Sequence, residues 1–435
     1  VIERWQQILI VIGISLATVA ITADTIGISS PGFSNGQMIL LGFGCILIVF
    51  GVLGRRTPQL YQSISILLMN FVVLLFVIEF LFGFYSWVTS DDDFAEPPPD
   101  SRATLDYYIE QDWGISYWEE FRASRQLKYT PYVVWRRAPY QGELVNIDAQ
   151  SLRVTPQNQC DADAFTVFVM GGSTIWGTGA PDWGTIPAYL QQQYNDNSEQ
   201  PVCVINMGET AFVSEQSVIQ LEQALKSGWI PDAVIFYDGA NDVFAAYQSN
   251  QAGTHQNIES IAANFEQRTD DTSTASSVLN WIEANTYTGV YIQRLRNSTV
   301  PESDESVNLS LTDDDIIRLA DEIVQHYDQQ IDWVQNLASV YDFSTLFVWQ
   351  PVLPTDAKSL TAQEQEMFNG VAPDLVALYA ATYAQMERHP NILYLANVFT
   401  DVDEFLWIDF LHVTPEANLI ISDAIFEALP SDARP

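Results

Sequence analysis

The sequence predicts an α/β protein built on a parallel sheet flanked by helices, preceded by three transmembrane helices. Three observations carry this. Short apolar runs at 165–170, 202–206, 233–237, 345–350 and 391–395 alternate with helical stretches from about Trp183 and at 214–227, 312–341, 361–388 and 415–428, and such alternation means a parallel sheet. The first three runs end in glycine, asparagine or serine: Gly171-Gly172-Ser173, Asn206-Met207-Gly208 and Gly239-Ala240-Asn241-Asp242. In a parallel sheet the carboxyl ends of the strands share one edge, so these turns converge on one crevice. The first ninety residues contain long stretches almost without charge.

Taken in order, 8–28, 38–53 and 64–88 read as membrane spans, the second short enough to be tilted or re-entrant. The first is too soon followed by two more to be a cleaved signal peptide. Arg4 and Arg55-Arg56 flank the spans on one side and Asp91-Asp92-Asp93 follows the third. Positive-inside logic then places the large domain outside the cytoplasm, with Tyr85 and Trp87 at the outer interface. Glu79 lies well within the third span, and no basic residue in any span can pair with it. It is expected to be protonated, hydrogen-bonded in a helix contact or with a partner subunit, or to snorkel to the surface.

Region 1–90 is therefore a membrane region, and 91–160 an acidic, Pro97-Pro98-Pro99-containing spacer followed by a β-rich segment. In that segment core packing is favoured for Trp113, Trp118 and Trp135 over stacking on sugars. Residues 161–435 form the catalytic domain, with an insertion at 245–310 that is expected to carry helices of its own and to act as a lid.

Chemistry centres on Asp409-Phe410-Leu411-His412, where a carboxylate three residues before an imidazole can orient it to take a proton from a nucleophile. Ser173, at the end of the run from Phe165, is that nucleophile. The α/β-hydrolase elbow G-x-S-x-G does not fit, because Ile175 stands where its last glycine belongs. The blocks around Ser173, Gly208, Asn241 and Asp409-x-x-His412, in this order, resemble those of the SGNH (GDSL-type) hydrolases over about 160–430. Gly172 departs from them, standing where the name-giving motif has aspartate. The resemblance implies an SGNH-hydrolase-like, flavodoxin-like three-layer domain with a Ser173, His412, Asp409 triad. It also implies an oxyanion hole from the Ser173 and Gly208 N–H groups and the Asn241 amide. Gln350, leaving the fourth strand, is a candidate substrate contact or a loop-stabilising amide.

No cofactor or metal site is expected: His255, His326 and His389 read as surface or packing residues, and paired Cys-x-x-Cys motifs are missing. Cys160 and Cys203 could pair, but a free core thiol is favoured for Cys203. With 55 acidic against 18 basic residues and a net charge of −37, nucleic acid is excluded as a partner. The expected activity is that of a membrane-anchored, extracytoplasmic serine esterase or deacylase on esters of glycans, envelope polymers or lipids. The alternatives are an O-acyltransferase fed by a membrane acyl donor, and a structural subunit that keeps the fold.

Overall fold

The computed structural model describes residues 2–22, 35–56, 58–89, 100–161, 163–263, 286–289 and 311–435. The chain divides into two compact units, Val1–Pro98 with Asn264–Asp304, and Pro99–Ala263 with Glu305–Pro435.

The first unit contains α1 (Ile2–Thr22), α2 (Asn35–Arg56) and α3 (Pro58–Thr89). One stretch among the described residues, Gln62–Tyr85 in α3, is long and apolar enough to cross a membrane. The apolar parts of α1 and α2, Gln6–Thr22 and Leu40–Val52, are shorter, because polar residues occupy the first turns of both helices. These two helices pack backbone to backbone: a Cβ on Gly13 would lie 2.6 Å from the Gly44 carbonyl oxygen, and one on Gly51 3.0 Å from that of Gln6. Small residues permit such close approach. Buried Gln37 donates to the Ala20 carbonyl at 3.0 Å.

Glu79 of α3 is hydrogen-bonded, to a partner outside the three helices. Its carboxylate accepts from the backbone N–H of Tyr287 (2.6 Å) and Thr288 (3.0 Å) and from the Thr288 hydroxyl (2.7 Å). Gly83, one turn on, leaves room for the Tyr287 ring, which a Cβ there would approach to 3.3 Å. The lid expected from the insertion falls mostly outside the described residues, and the four described within 264–304 belong to this first unit.

The second unit begins with a segment that is helical before it is extended: α4 (Asp106–Ile109) and α5 (Gly114–Ala123) precede the hairpin β1 (Leu127–Thr130) and β2 (Val134–Arg137), then β3 (Tyr140–Gln141) and β4 (Asn146–Ile147). The segment expected to be β-rich thus also carries two helices ahead of its four short strands. Aromatic residues suit either structure, and Tyr117, Trp118 and Phe121 lie on one helical face, where they pack with Tyr108, Trp176 and Ile408.

The central sheet comprises β5 (Phe165–Gly171), β6 (Val202–Asn206), β7 (Ala233–Asp238), β8 (Ser344–Trp349) and β9 (Leu393–Tyr394), parallel throughout and ordered β6-β5-β7-β8-β9. Between them run α6 (Ser173–Trp176), α7 (Ile186–Asn197), α8 (Ser214–Lys226), α9 (Ala240–Ser249), α10 (Asp313–Tyr341), α11 (Ala362–Asn369) and α12 (Pro373–Met386), and α13 (Pro415–Ala428) follows β9. Alternate residues of β5 feed two cores. Phe168 and Met170 join Leu221 of α8, Leu319 of α10 and Leu378 of α12, while Val167 and Val169 join Leu190 of α7 and Ile421 of α13. The result is the three-layer arrangement, with the flavodoxin-like 2-1-3-4-5 strand order.

Two boundaries and one cysteine differ from expectation. The helix expected at 361–388 is broken in two between Asn369 and Pro373, because Pro373 lacks an N–H and starts a new helix instead. The insertion begins later than 245, since α9 runs on to Ser249. Cys203 is not a free thiol: Gln159 donates to the Val202 carbonyl at 3.1 Å, which lays Cys160 along the edge strand β6, and Cys160 and Cys203 form a disulfide with Cα atoms 4.7 Å apart.

Candidate active site

β5 and β7 leave the sheet on either side of the switch in strand order, where open α/β sheets bind ligands. Ser173 is the first residue of α6, directly after β5, and Asn241 lies in the first turn of α9, directly after β7. The third contributor is the loop before α13. It is closed by a bridge between Trp407 and Val413 and by Ile408 donating to the His412 carbonyl at 3.0 Å. The Asp409 carboxylate accepts from the N–H groups of Leu411 (2.8 Å) and His412 (2.7 Å), so the acid shapes the loop that carries the base. Thr414 caps α13 through the Ala417 N–H.

These elements bring the three triad residues together. The His412 Nε2 lies 2.7 Å from the Ser173 Oγ, and its Nδ1 2.7 Å from the Asp409 Oδ2. The imidazole therefore stands between a serine hydroxyl and a carboxylate, an arrangement able to take the proton of the hydroxyl.

The leading segment adds a residue that sequence reasoning missed. Arg102 donates to the Asp409 Oδ2 at 2.8 Å, to Asp100 at 2.8 Å and 2.9 Å, and its Nη1 stands 3.5 Å from the His412 Nδ1. Its guanidinium stacks on Trp118, 4.7 Å from the ring centre. Burial alone would raise the Asp409 carboxyl, but the charge and hydrogen bond of His412 and the charge of Arg102 outweigh it and hold the group well below the usual carboxylate range. Burial likewise opposes the charged Arg102, and the hydrogen bonds and charges of Asp100 and Asp409 overcome it and raise its pKa.

Arg153, fully buried, braces the backbone after the nucleophile. It donates to Asp182 (2.9 Å) and to the carbonyls of Trp176 (3.0 Å), Gly177 (2.7 Å) and Ala180 (2.7 Å). Arg136 similarly reaches the carbonyls of Ser151 (3.2 Å) and Met207 (3.0 Å). The signal in the sequence was the run Arg102, Arg122, Arg125, Arg136, Arg137, Arg153 in a chain with only 18 basic residues.

Ser173, Asn241 and His412 open on a crevice of about 350 Å³. A Cβ on Gly172 would lie 2.2 Å from the Asn241 Nδ2, so the amide sits directly against the backbone of the nucleophile turn, steadied by donation to the Phe212 carbonyl at 2.7 Å. Aspartate at position 172 would collide there.

Gly208 does not join the group. Its N–H donates to the Asn206 Oδ1 at 3.0 Å, and its missing side chain makes room for the backbone of Ile175 and Trp176, with a Cβ 2.5 Å from the Trp176 nitrogen. Ala211 lines the crevice in its place, in left-handed backbone (φ 63°). Gln350 is buried and accepts from the Thr174 hydroxyl at 2.9 Å, which makes it a brace for the turn beside the nucleophile rather than a crevice residue.

No family model matches the chain, and no curated protein matches it. Among solved structures it is similar to a member of the lipolytic protein G-D-S-L family from Veillonella parvula (9% identity, TM-score 0.31, 61% of this chain and 98% of that one). It is also similar to the acetyl xylan esterase AlAXEase (12%, 0.30, 61% and 100%) and to a carbohydrate acetylesterase family member from Sinorhizobium meliloti (13%, 0.31, 60% and 94%). Likenesses this distant carry no weight for the chemistry, which rests on the crevice itself.

Proposed function

We propose that the chain is a serine ester hydrolase anchored to a membrane by its N-terminal helices. The observation that carries the chemistry is the His412 Nε2 2.7 Å from the Ser173 Oγ with Asp409 on the opposite ring nitrogen. Ser173 attacks the acyl carbonyl as His412 takes its proton, and the imidazolium returns that proton to the leaving alcohol. Asp409 holds the ring in the tautomer with Nδ1–H, and Arg102 holds Asp409. The oxyanion is met by the Ser173 N–H, the Asn241 amide and, in place of Gly208, the Ala211 N–H. Water then releases the acyl group from Ser173 by the same base.

Anchoring is supported by the length of the apolar stretch in α3 and by the large apolar side chains it exposes, among them Leu67, Phe76 and Phe80. The tight α1–α2 pair reads as companion spans, and Arg4 with Arg55-Arg56, held on the cytoplasmic side, orients the catalytic unit away from the cytoplasm. Its substrate is then an ester of the cell envelope.

Fluorophosphonate labelling of the detergent-purified chain tests the chemistry: one adduct at Ser173 is expected. Ser173→Ala and His412→Ala should each lower turnover of a short activated ester to a residual level in folded protein, since triad members act as a unit. Asp409→Asn should be impaired less severely. Wild-type turnover in Ser173→Ala would sink the assignment.

A further inference from the structure

The crevice has a charge that the rest of the chain does not. Acidic residues outnumber basic ones 55 to 18 overall, yet Arg102, Arg125 and Arg137 line the crevice with no Asp or Glu among its lining residues. The three guanidinium groups surround one ring, 5.7, 5.7 and 4.5 Å from the centre of Phe121. Like charges so gathered repel one another and call for compensating anions.

Only Arg102 has them in direct contact, in Asp100 and Asp409, while Asp100 acts on Arg125 and Glu209 on Arg137 from beyond ion-pairing distance. Among the described residues no carboxylate lies within ion-pairing distance of the Arg125 or Arg137 side chain. Arg137 is buried, with its guanidinium held between Phe121 and Trp176, 4.1 Å from the latter ring centre. Its side-chain hydrogen bonds go to the Ser124 hydroxyl (3.1 Å) and the Phe121 carbonyl (3.5 Å), and its buried Nε has no partner. Glu209 spends one oxygen on the Arg137 backbone N–H (2.8 Å) and the other on Thr210. Burial lowers the Arg137 pKa to about 10, as it does for a cation without enough counter-charge. An orphaned Nε is shared with Arg136, but Arg136 directs both terminal nitrogens to backbone carbonyls away from the crevice, and Arg153 has an acceptor at every side-chain nitrogen.

Resting on the hydrolase reading, we propose that the substrate is an acyl ester of an anionic saccharide, whose carboxylate or phosphate is bound by Arg125 and Arg137 while the ester lies at Ser173. Arg137 supplies a fixed, aromatic-stacked donor in its Nη2, its Nη1 being spent on Ser124 and Phe121 and its Nε being buried, and Arg125 an exposed, adjustable fork. A volume of about 350 Å³ is enough to hold one sugar ring with a short acyl group. Thr178, Thr210 and Gln256 in the lining offer partners to sugar hydroxyls.

The experiment compares kcat/KM of the full chain in detergent for mono-O-acetylated methyl glucoside, its glucuronate counterpart and its 6-phosphate. p-Nitrophenyl acetate serves as a neutral control, and an acidic phospholipid as a lipid ester. Wild type should favour the carboxylate or the phosphate sugar over the neutral one by about tenfold or more, the scale of one charge-assisted hydrogen bond; the better of the two arms identifies the anion. Arg125→Gln, a change at an exposed site, should bring that ratio close to one, and Arg137→Lys should lower it by loss of the stacked guanidinium donor. Calorimetric binding of glucuronate against glucose gives the same comparison without turnover. Equal rates and equal binding across the sugars, or a preference that survives both substitutions, would overturn the proposal, as would preference for the phospholipid. Failure to hydrolyse p-nitrophenyl acetate at all would instead sink the hydrolase reading, with the binding comparison still deciding the anion site.

Discussion

At the scale of single residues, the contact with most leverage is Arg102 on Asp409. Because the folded carboxyl is held below its ordinary value of about 3.9, Asp409 contributes stability that is fully present above that pH and is lost as pH falls through the folded value. Arg102→Gln raises the folded value and narrows the difference. The variant should therefore be less stable at neutral pH and reach its acid-unfolding midpoint at a higher pH than wild type in titrations followed by circular dichroism, with kcat/KM at neutral pH down by about tenfold. Identical acid-unfolding curves would mean that the ion pair is incidental. The grouping of Ser173, Asp409 and His412 was legible in the sequence because each carries its own local signature: a serine ending an apolar run, and an acid three residues before a histidine. Arg102 had none, since it reaches Asp409 across 307 residues through the fold. Gly208 misled for the opposite reason: a glycine after a strand marks close backbone approach, and only the structure shows that what approaches is Ile175 and Trp176 rather than substrate.

At the scale of elements, the turn from β5 into α6 and the start of α9 interlock through Gly172 and Asn241. Gly172→Ala would drive a methyl group into the Asn241 amide, 2.2 Å away, and move the proposed oxyanion donor without touching the triad. Turnover of a short ester should fall by ~10²–10³, as it does when such a donor is removed, while labelling of Ser173 by fluorophosphonate slows without disappearing. Unchanged turnover would remove Asn241 from the oxyanion hole. A second element-level dependence joins α3 to 286–289. Glu79→Leu deletes the acceptor of the Tyr287 and Thr288 amides, so hydrogen exchange at those two amides should quicken in detergent. Unchanged protection would show that the carboxylate is dispensable for holding this segment. Strand and helix periodicity made β5, β6, β7, α8, α10 and α13 readable almost to the residue. The aromatic segment before them was not, because Tyr, Trp and Phe suit a strand by propensity and here pack as one face of α5. The Cys160–Cys203 pairing was hidden too, since it depends on how the chain before β5 runs beside the edge strand.

At the scale of the whole molecule, the charge pattern makes a prediction about sidedness. Basic residues flanking short membrane segments are retained in the cytoplasm, while acidic flanks contribute little to orientation. Arg4 and Arg55-Arg56 lie on the same side if α1, α2 and α3 all cross, and the run Asp91-Asp92-Asp93 then emerges on the other with the catalytic unit behind it. If α3 crosses alone, Arg55-Arg56 still precedes it and the catalytic unit still follows it, so the sidedness of that unit does not depend on how many helices span. Protease added outside intact cells should therefore digest the chain beyond position 91 and leave a protected N-terminal fragment that contains Arg55 and Arg56. Replacing both arginines by glutamine, with two lysines added after Thr89, reverses the bias and should protect the catalytic unit instead. Digestion of the wild-type catalytic unit only after the membrane is broken would place Ser173 and its substrate on the cytoplasmic side.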